Sequence, residues 1–178
     1  MRTRRKTGRL KSSTVWLPPS VVVQLERESE RCRPLETGGV LLGFLDRDDL
    51  GKLQVISASG PGPRAIHRHN SFTPDALWQE RQIADTYEQS GRIVTYLGDW
   101  HSHPGGAEGP SRLDRKTAAR IARTTAARAR YPLSLILVNP WDGWHVCPYR
   151  YARRRLHRIT PITGPEPEKS WRLADEDA

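Results

Sequence analysis

Ile93-Val-Thr-Tyr-Leu-Gly-Asp-Trp-His-Ser-His-Pro104 is the stretch of this 178-residue chain from which its fold can be worked out. The first eight residues are rich in β-branched and aromatic side chains, which favour a strand. Pro104 ends that strand, because proline has no amide proton to donate to a neighbour. Side chains alternate between the two faces of a strand. We therefore predict that His101 and His103 share one face and that Trp100 packs into the core on the other.

Apolar patterns and turn residues on either side of this stretch predict the other elements. We expect a helix from 18 to 32–34, a hairpin of strands 38–45 and 52–59, a helix 74–89, the strand 93–101, a helix 111–130, and strands 133–138 and 144–149. The second helix should turn Leu77, Ile83, Ala84 and Tyr87 inward. The order α-β-β-α-β-α-β-β, without an internal repeat, is typical of an α/β (α+β) domain with a single mixed β-sheet flanked by helices.

Composition divides the chain into one domain and two polar ends. Residues 13–155 hold the predicted elements, which suits a single core. Residues 1–12 form a basic arm without acidic residues, and residues 156–178 read as a polar, acidic tail. The net charge of +9 is concentrated in this arm and in Arg153–Arg155. Such runs are typical of solvated tails, although they could also attract nucleic acid or an acidic protein surface.

The sequence also indicates where the protein works. We find no apolar run of the ~20 residues that a membrane span needs, and no signal-peptide pattern, so we expect a cytoplasmic protein that does not enter a membrane. Cys32 and Cys147 are the only cysteines. They are neither a disulfide framework nor a CxxC pair, and we predict two ordinary buried or half-buried thiols.

The residues around the central strand predict a metal site. His101 and His103 can meet one ion because they share a strand face. Asp114 lies in the first turn of the next predicted helix, from which it can face back toward them. Two imidazoles and one carboxylate, with a fourth position left for water, are typical of a catalytic zinc site. We therefore predict one Zn²⁺ per chain, which would lower the pKa of its water toward ~7.

Two further residues complete a hydrolytic site if the fold brings them close. Glu36 lies between the first helix and the first strand and could act as the general base that activates the water. The hydroxyl of Ser111 could donate to a developing oxyanion.

Each part of this predicted site also has a structural explanation. The His-x-His pair could simply end a strand, and Ser111-x-x-Asp114 has the form of a capping box. Neither alternative explains all of these residues together.

Several neighbouring residues have weaker assignments. Asp99 shares the strand face of His101, so it could contact a metal-binding residue or bind the metal in place of one. The simpler interpretation is a strand residue without a role in metal binding. Ser102 should point away from the metal. His67-Arg-His69 repeats the His-x-His form in a basic segment without a carboxylate, which indicates a solvated or substrate-facing loop. Trp141 and Trp144 flank a turn and are expected to pack against the domain.

At these residues the sequence resembles the JAB/MPN+ metallopeptidases. Glu36, then His101-Ser102-His103, seven residues, Ser111, two residues and Asp114 match the JAMM motif of that family. The resemblance includes the segment 36–43, the Gly-Pro-Gly-Pro loop at 60–63 and the order of the elements. It implies a cytidine-deaminase-like JAB/MPN fold, in which the two histidines and the aspartate bind zinc, the glutamate is the general base and the serine supports the tetrahedral intermediate.

The resemblance also implies a substrate. Family members hydrolyse the bond after the C-terminal Gly of ubiquitin or a ubiquitin-like protein, or release sulfur-carrier proteins, and some lack catalysis and act as scaffolds. This compact chain resembles the bacterial branch and lacks the long insertions with which eukaryotic members grip ubiquitin. A bacterial ubiquitin-like protein or its conjugate is therefore the expected substrate. E1-like and E2-like proteins are possible partners, as in antiphage conjugation systems.

Overall fold

The structure, a computed structural model, describes residues 14–45, 52–106 and 108–164. The elements are β1 (Thr14–Leu17), α1 (Pro19–Cys32), β2 (Gly38–Leu45), β3 (Lys52–Ala58), β4 (Ile66–Arg68), β5 (Ser71–Thr73), α2 (Ala76–Gln89), β6 (Thr95–His103), α3 (Arg112–Ile121), a 3₁₀ turn (Thr125–Ala127), β7 (Leu133–Val138), β8 (His145–Ala152), β9 (Arg155–Arg158) and β10 (Thr160–Thr163). The predicted basic arm lies outside the described residues.

One large mixed sheet carries the fold, as predicted. Its strand order is β10-β1-β3-β2-β6-β7-β8-β9, and β4 and β5 form a separate two-stranded hairpin. The strand β6 lies in the middle, antiparallel to β2 on one side and parallel to β7 on the other. The residue pairs His101 with Gly38 and His103 with Val138 show that the carboxyl end of β6 lies inside the sheet. The predicted histidine pair is therefore held between two neighbouring strands.

The two faces of the sheet have separate cores. On one face, α1 buries Val21 and Leu25 against a cluster that includes Trp100, which is 1% exposed. On the other face, Ile83 of α2 packs against Val40 and other residues of β2. The alternation predicted for β6 is confirmed, because Trp100 belongs to the α1 face. Helices therefore cover both faces of the sheet, and each buries apolar area that drives folding.

Glycines allow β2 to approach its neighbours closely. A side chain at Gly39 would overlap the carbonyl of Ser59 and the indole of Trp100, and one at Gly38 would overlap Phe72 and the backbone of Trp100. The indole nitrogen of Trp100 donates to the Ser59 carbonyl at 2.8 Å across this gap. The glycines thus bring the start of β2 against β6, close to the histidines.

The predicted helix 111–130 is too long. In the structure α3 ends at Ile121, and only the 3₁₀ turn follows it. The Thr124 hydroxyl donates to the Arg120 carbonyl at 3.0 Å, and the Thr124 amide donates to the same carbonyl. Arg128 then has a left-handed φ of 50°. Threonine hydroxyls compete in this way for backbone groups that would continue a helix, so the alanines and arginines do not extend it.

The prediction of which α2 residues face the core is also partly wrong. Leu77 is 57% exposed and Ala84 is exposed, whereas Ile83 and Tyr87 are half-buried as expected. The buried position belongs to Gln79, whose amide donates to the Gly60 carbonyl at 3.2 Å. A polar residue that satisfies a loop carbonyl therefore sets the rotation of the helix.

Short strands at the sheet edges extend the fold beyond the predicted elements. The sheet includes β1, β9 and β10, and the register pairs Thr14 with Thr160. Their polar composition places residues 156–163 in the predicted tail, but the structure forms β9 and β10 there, with Ile159 between them. Edge strands bury little side-chain area, so their composition does not distinguish them from a tail. Residues 165–178 of the predicted tail lie outside the described residues.

No helix in the described part of the chain combines the length and apolar character required to cross a lipid bilayer. Both cysteines are free thiols, with Cys147 buried and Cys32 half-buried, as predicted.

We predict that Gly39→Ala lowers the free energy of unfolding by about 1–3 kcal/mol, because its new methyl group must displace the backbone of Ser59. Urea unfolding measures the change. Gly60→Ala is the matched control: an added Cβ meets nothing within 4 Å there, and we expect a change within about 0.5 kcal/mol. Equal losses in the two variants would contradict this account of the β2 contact.

Candidate metal centre

The two histidines of β6 meet on the face of the sheet that α3 covers. His101 and His103 are 8% and 7% exposed. Their Nε2 atoms lie 3.1 Å apart, and the rings are inclined at 62°. Both imidazole nitrogens are thus directed at one point, as the strand alternation predicts.

Asp114 completes the group from the first turn of α3. Its Oδ1 lies 3.2 Å from His101 Nε2, and its Oδ2 lies 3.6 Å from His103 Nε2. With one donor atom chosen from each residue, all three donors lie within 4.8 Å of one another. Among the described residues, this is the one group of three or more such side chains that could hold a metal ion.

The spacing of these donors fits a small tetrahedral ion. Donors bound at about 2.0–2.1 Å from such an ion lie about 3.3–3.4 Å from each other. The observed distances of 3.1 Å between the histidine nitrogens and 3.2 Å from His101 to Asp114 are close to that edge length. Two imidazoles and one carboxylate also have the chemistry that zinc accepts. The three side chains therefore have the spacing and the chemistry that a zinc ion requires.

The Asp114 carboxylate is kept in the ionised form that a ligand requires. Burial alone would raise its pKa, but the hydrogen bond and charge of His101, together with the hydrogen bonds from Ser111, outweigh that effect. The pKa of Asp114 therefore lies well below its ordinary value, and the side chain is negatively charged at neutral pH.

Glu36 lies beside this group. Its Oε1 is 4.0 Å from His103 Nε2. Burial raises the pKa of Glu36, and the charge of His101 lowers it while that of Asp114 raises it further. The pKa of Glu36 is therefore raised to about 7. A carboxyl with a pKa near neutrality can both accept and return a proton.

Hydrogen bonds from two directions hold the backbone around Glu36. The Glu36 amide donates to the Arg68 carbonyl at 2.8 Å, and His67 Nδ1 lies 2.9 Å from the Glu36 carbonyl oxygen. On the other side, the Thr37 amide donates to the Ser102 hydroxyl at 3.1 Å, and the Ser102 amide donates to the Thr37 carbonyl at 2.8 Å. The loop is therefore tied both to β6 and to the β4–β5 hairpin.

These contacts change the interpretation of His67 and confirm that of Ser102. Ser102 is fully buried and points away from the histidines, as predicted. His67 lies in a strand, not in a solvated loop, and it contacts the backbone of Glu36; His69 is exposed. Sequence reasoning missed this role because the partner of His67 lies 31 residues away. The repeated His-x-His form is the one sequence signal that marks this segment.

Ser111 has the structural role that the capping-box alternative describes. Its hydroxyl oxygen accepts from the Asp114 amide at 3.2 Å, while its own amide donates to Asp114 Oδ2 at 2.6 Å. The cap thus orients the carboxylate that faces the histidines. A hydrogen bond from the Ser111 side chain also helps to lower the pKa of Asp114, so the hydroxyl serves the carboxylate as well as the cap.

A cavity of about 210 Å³ lies next to the metal centre, between α3 and the strands β6 and β7. Its lining includes Phe72, Leu113, Asp99 and Arg120 besides residues of the centre. Asp99 accepts a hydrogen bond from the Tyr96 hydroxyl at 2.6 Å, and burial raises its pKa. Asp99 is therefore a buried polar member of the cavity wall beside His101.

The two tryptophans of the β7–β8 turn differ. Trp144 packs against the α1 core and donates from its indole nitrogen to Glu30 at 3.0 Å. Trp141 is 98% exposed, so the expectation that it packs against the domain is wrong. The neighbouring Asp142–His145 contact of 2.7 Å closes the turn without it.

The fold and the grouped histidines, aspartate and glutamate define an α+β domain with a site for a metal. Residues 18–155 match the family of prokaryotic homologs of the JAB domain. The chain belongs to this family, which confirms the resemblance found in the motif.

Curated relatives agree with that membership. The chain is 36% identical over 145 residues to a probable metalloprotease of Sinorhizobium fredii, an alignment that covers 80% of this chain and 87% of the relative. It is 27% identical over 110 residues to a CD-NTase/cGAS isopeptidase of Escherichia coli, covering 61% of this chain and 65% of the relative. These relatives support a hydrolase function.

A solved structure matches the fold. The solution structure of a protein from Desulfitobacterium hafniense superimposes with a TM-score of 0.63 and 17% identity, covering 88% of this chain and 97% of that one. At this identity the likeness concerns the fold alone.

We predict that Ser111→Ala destabilises the domain by about 1 kcal/mol, because α3 loses its N-cap acceptor. Ser111→Asn should retain most of the stability, since an asparagine oxygen caps equally well. Thermal and urea unfolding of the two variants measure the difference. If both variants were as stable as the parent, the cap would not hold this helix.

Proposed function

We propose that this protein is a zinc-dependent peptidase or isopeptidase that cuts the bond after the C-terminal Gly of a ubiquitin-like protein or its conjugate. One observation carries the proposal: the buried donors of His101, His103 and Asp114 converge beside the carboxyl of Glu36. Structural uses of these residues do not require four titratable groups from three separate elements to meet.

In the proposed reaction, His101, His103 and Asp114 hold the ion. Zinc in such a site polarises the scissile carbonyl and lowers the pKa of water toward ~7. Glu36 accepts a proton from the attacking water and delivers it to the leaving amine. The hydrogen bonds between Thr37 and Ser102 position the backbone next to this carboxyl.

Ser111 is proposed to assist by turning its hydroxyl proton toward the developing oxyanion. Its position is set by the cap, because the same oxygen accepts from the Asp114 amide. A preorganised donor of this kind stabilises charge that appears only in the transition state.

The substrate class is proposed from the relatives and from the resemblance. Three relatives, of Escherichia coli, Enterobacter hormaechei and Vibrio cholerae, are named CD-NTase/cGAS isopeptidases, and the alignments cover 65–67% of their lengths. A nucleotidyltransferase conjugate of an antiphage system is therefore one proposed substrate. Adjacent E1-like and E2-like genes would favour deconjugation, whereas a sulfur-carrier gene would favour precursor processing.

We predict that zinc-replete expression yields about one zinc ion per chain. His101→Ala should lose the metal, because an imidazole ligand is removed, and the exposed His69→Ala is the matched control that should keep it. Elemental analysis of the purified variants measures the content. Wild-type protein without metal after zinc-replete expression would overturn the proposal.

Glu36→Gln should keep the zinc and lower the hydrolysis rate by about 10²–10⁴-fold, because an amide cannot accept the proton. The assay uses a ubiquitin-like protein whose C-terminal Gly is joined to a reporter either through its amino terminus or through a lysine side chain. The two reporters distinguish linear peptide from isopeptide cleavage. A non-catalytic scaffold would show no cleavage in the wild type and unchanged partner binding in His101→Ala/Asp114→Ala.

The proposed role of Ser111 can be separated from its cap. Ser111→Gly weakens an N-cap by only a few tenths of a kcal/mol and removes the side-chain donor, so we expect nearly normal stability, normal zinc content and a kcat lower by about 10²-fold. Unchanged kcat in a stable Ser111→Gly protein would limit Ser111 to capping.

A further inference from the structure

The segment that carries Asp114 is strongly basic. Residues 111–131 contain seven cationic side chains, Arg112, Arg115, Lys116, Arg120, Arg123, Arg128 and Arg130, and Asp114 is the single acidic residue among them. Because Asp114 faces the histidines, it neutralises none of this charge at the surface.

Helix geometry separates the charged face from the buried one. Successive residues of α3 are rotated by about 100°, so Asp114, Thr117 and Ala118 face the sheet; Ala118 is 4% exposed. Arg112, Arg115 and Lys116 point the opposite way and are exposed. These three residues are called the α3 basic face below. It begins two residues before the proposed metal ligand.

No carboxylate in the part of the chain that the structure describes neutralises this face. In α1, Arg31 pairs with Glu28 at 2.6 Å, and in α2 Glu88 pairs with Arg92 at 3.2 Å. By contrast, within residues 14–45, 52–106 and 108–164 no carboxylate lies within ion-pair distance of Arg112, Arg115 or Lys116. Arg112 and Lys116 are four residues apart, a spacing at which like charges destabilise a helix. An anionic partner would relieve that repulsion.

The position of the face indicates what it contacts. Leu113, 52% exposed, lies between Arg112 and Asp114 and lines the cavity beside the metal centre. A helix of ten residues is about 15 Å long. A polypeptide that enters the centre past Leu113 therefore passes the basic face within a few residues of the bond to be cut.

We propose that the α3 basic face docks an acidic segment of the protein substrate next to the scissile bond. This inference rests on the proposed peptidase function, which brings a polypeptide to Asp114. Polypeptide is favoured over single-stranded nucleic acid because α3 has no aromatic side chain on which bases could stack. The exposed Leu113 suits an apolar side chain beside the acidic ones. The face thus selects substrates whose charge is negative close to the cleaved Gly.

Peptides with a Gly-Gly-aminocoumarin end test this docking. One peptide carries a run of Asp residues upstream of the glycines, and a second carries Ser instead. The acidic peptide should bind about tenfold more tightly, as expected for several exposed ion pairs. The preference should shrink when the salt is raised from about 20 mM to about 500 mM, because screening shortens the range of these charges. Fluorescence anisotropy with the Glu36→Gln protein measures binding without cleavage.

Charge variants assign the preference to this face. Arg112→Glu/Arg115→Glu/Lys116→Glu should bring the binding ratio of the two peptides to one or below, and the milder triple Gln variant should reduce it. Arg153→Glu/Arg154→Glu/Arg155→Glu is the matched control with the same change of net charge, and it should keep the preference. Zinc content and thermal unfolding verify that each variant is folded.

The outcomes separate this inference from the proposed function. Equal binding of the acidic and neutral peptides, or equal loss in the two triple Glu variants, overturns docking at α3. A labelled DNA oligonucleotide could also bind more tightly than the acidic peptide and lose this binding in the α3 variant alone. That result would overturn the proposal that the partner is a protein. Absence of cleavage with an intact α3-dependent preference would count against the peptidase and leave the acidic docking surface supported.

Discussion

The exchange of hydrogen bonds between Thr37 and Ser102 determines where the loop before β2 meets the end of β6. Both residues are fully buried, so breaking either bond would leave a polar group without a partner in the interior. The glycines that follow Thr37 permit the contact, because a side chain at Gly38 or Gly39 would collide with Trp100. Glu36 is carried to the histidines by this junction.

Further contacts position the other residues of the site. Ser111 caps α3 and orients Asp114, while His67 and Arg68 contact the backbone of Glu36. Ordinary structural devices therefore hold each side chain that the proposed chemistry uses. The capping role of Ser111 and the proposed catalytic role therefore use the same geometry. Without the cap, the Asp114 carboxylate would not be held toward the histidines.

Sequence patterns predicted the elements whose signals are local. The bounds of α1 follow from Pro19 at its first turn, and β2 and β7 follow from apolar runs. The patterns also failed where distant contacts decide. Gln79 sets the rotation of α2, and the polar residues of β10 form a strand because β1 pairs with them. Neither partner can be read from the segment itself. The early end of α3 is different, because Thr124 bonds to Arg120 only four residues away.

The sequence by itself determined the types of side chain available for chemistry and the strand face that His101 and His103 share, because alternation is a local property of the backbone. It also contained the motif that identifies the family. Only the tertiary structure decided that Glu36 lies 4.0 Å from His103 and that Arg112, Arg115 and Lys116 face away from the sheet. These facts depend on which strands become neighbours and on the rotation of a packed helix, and both are set by burial across the whole sheet.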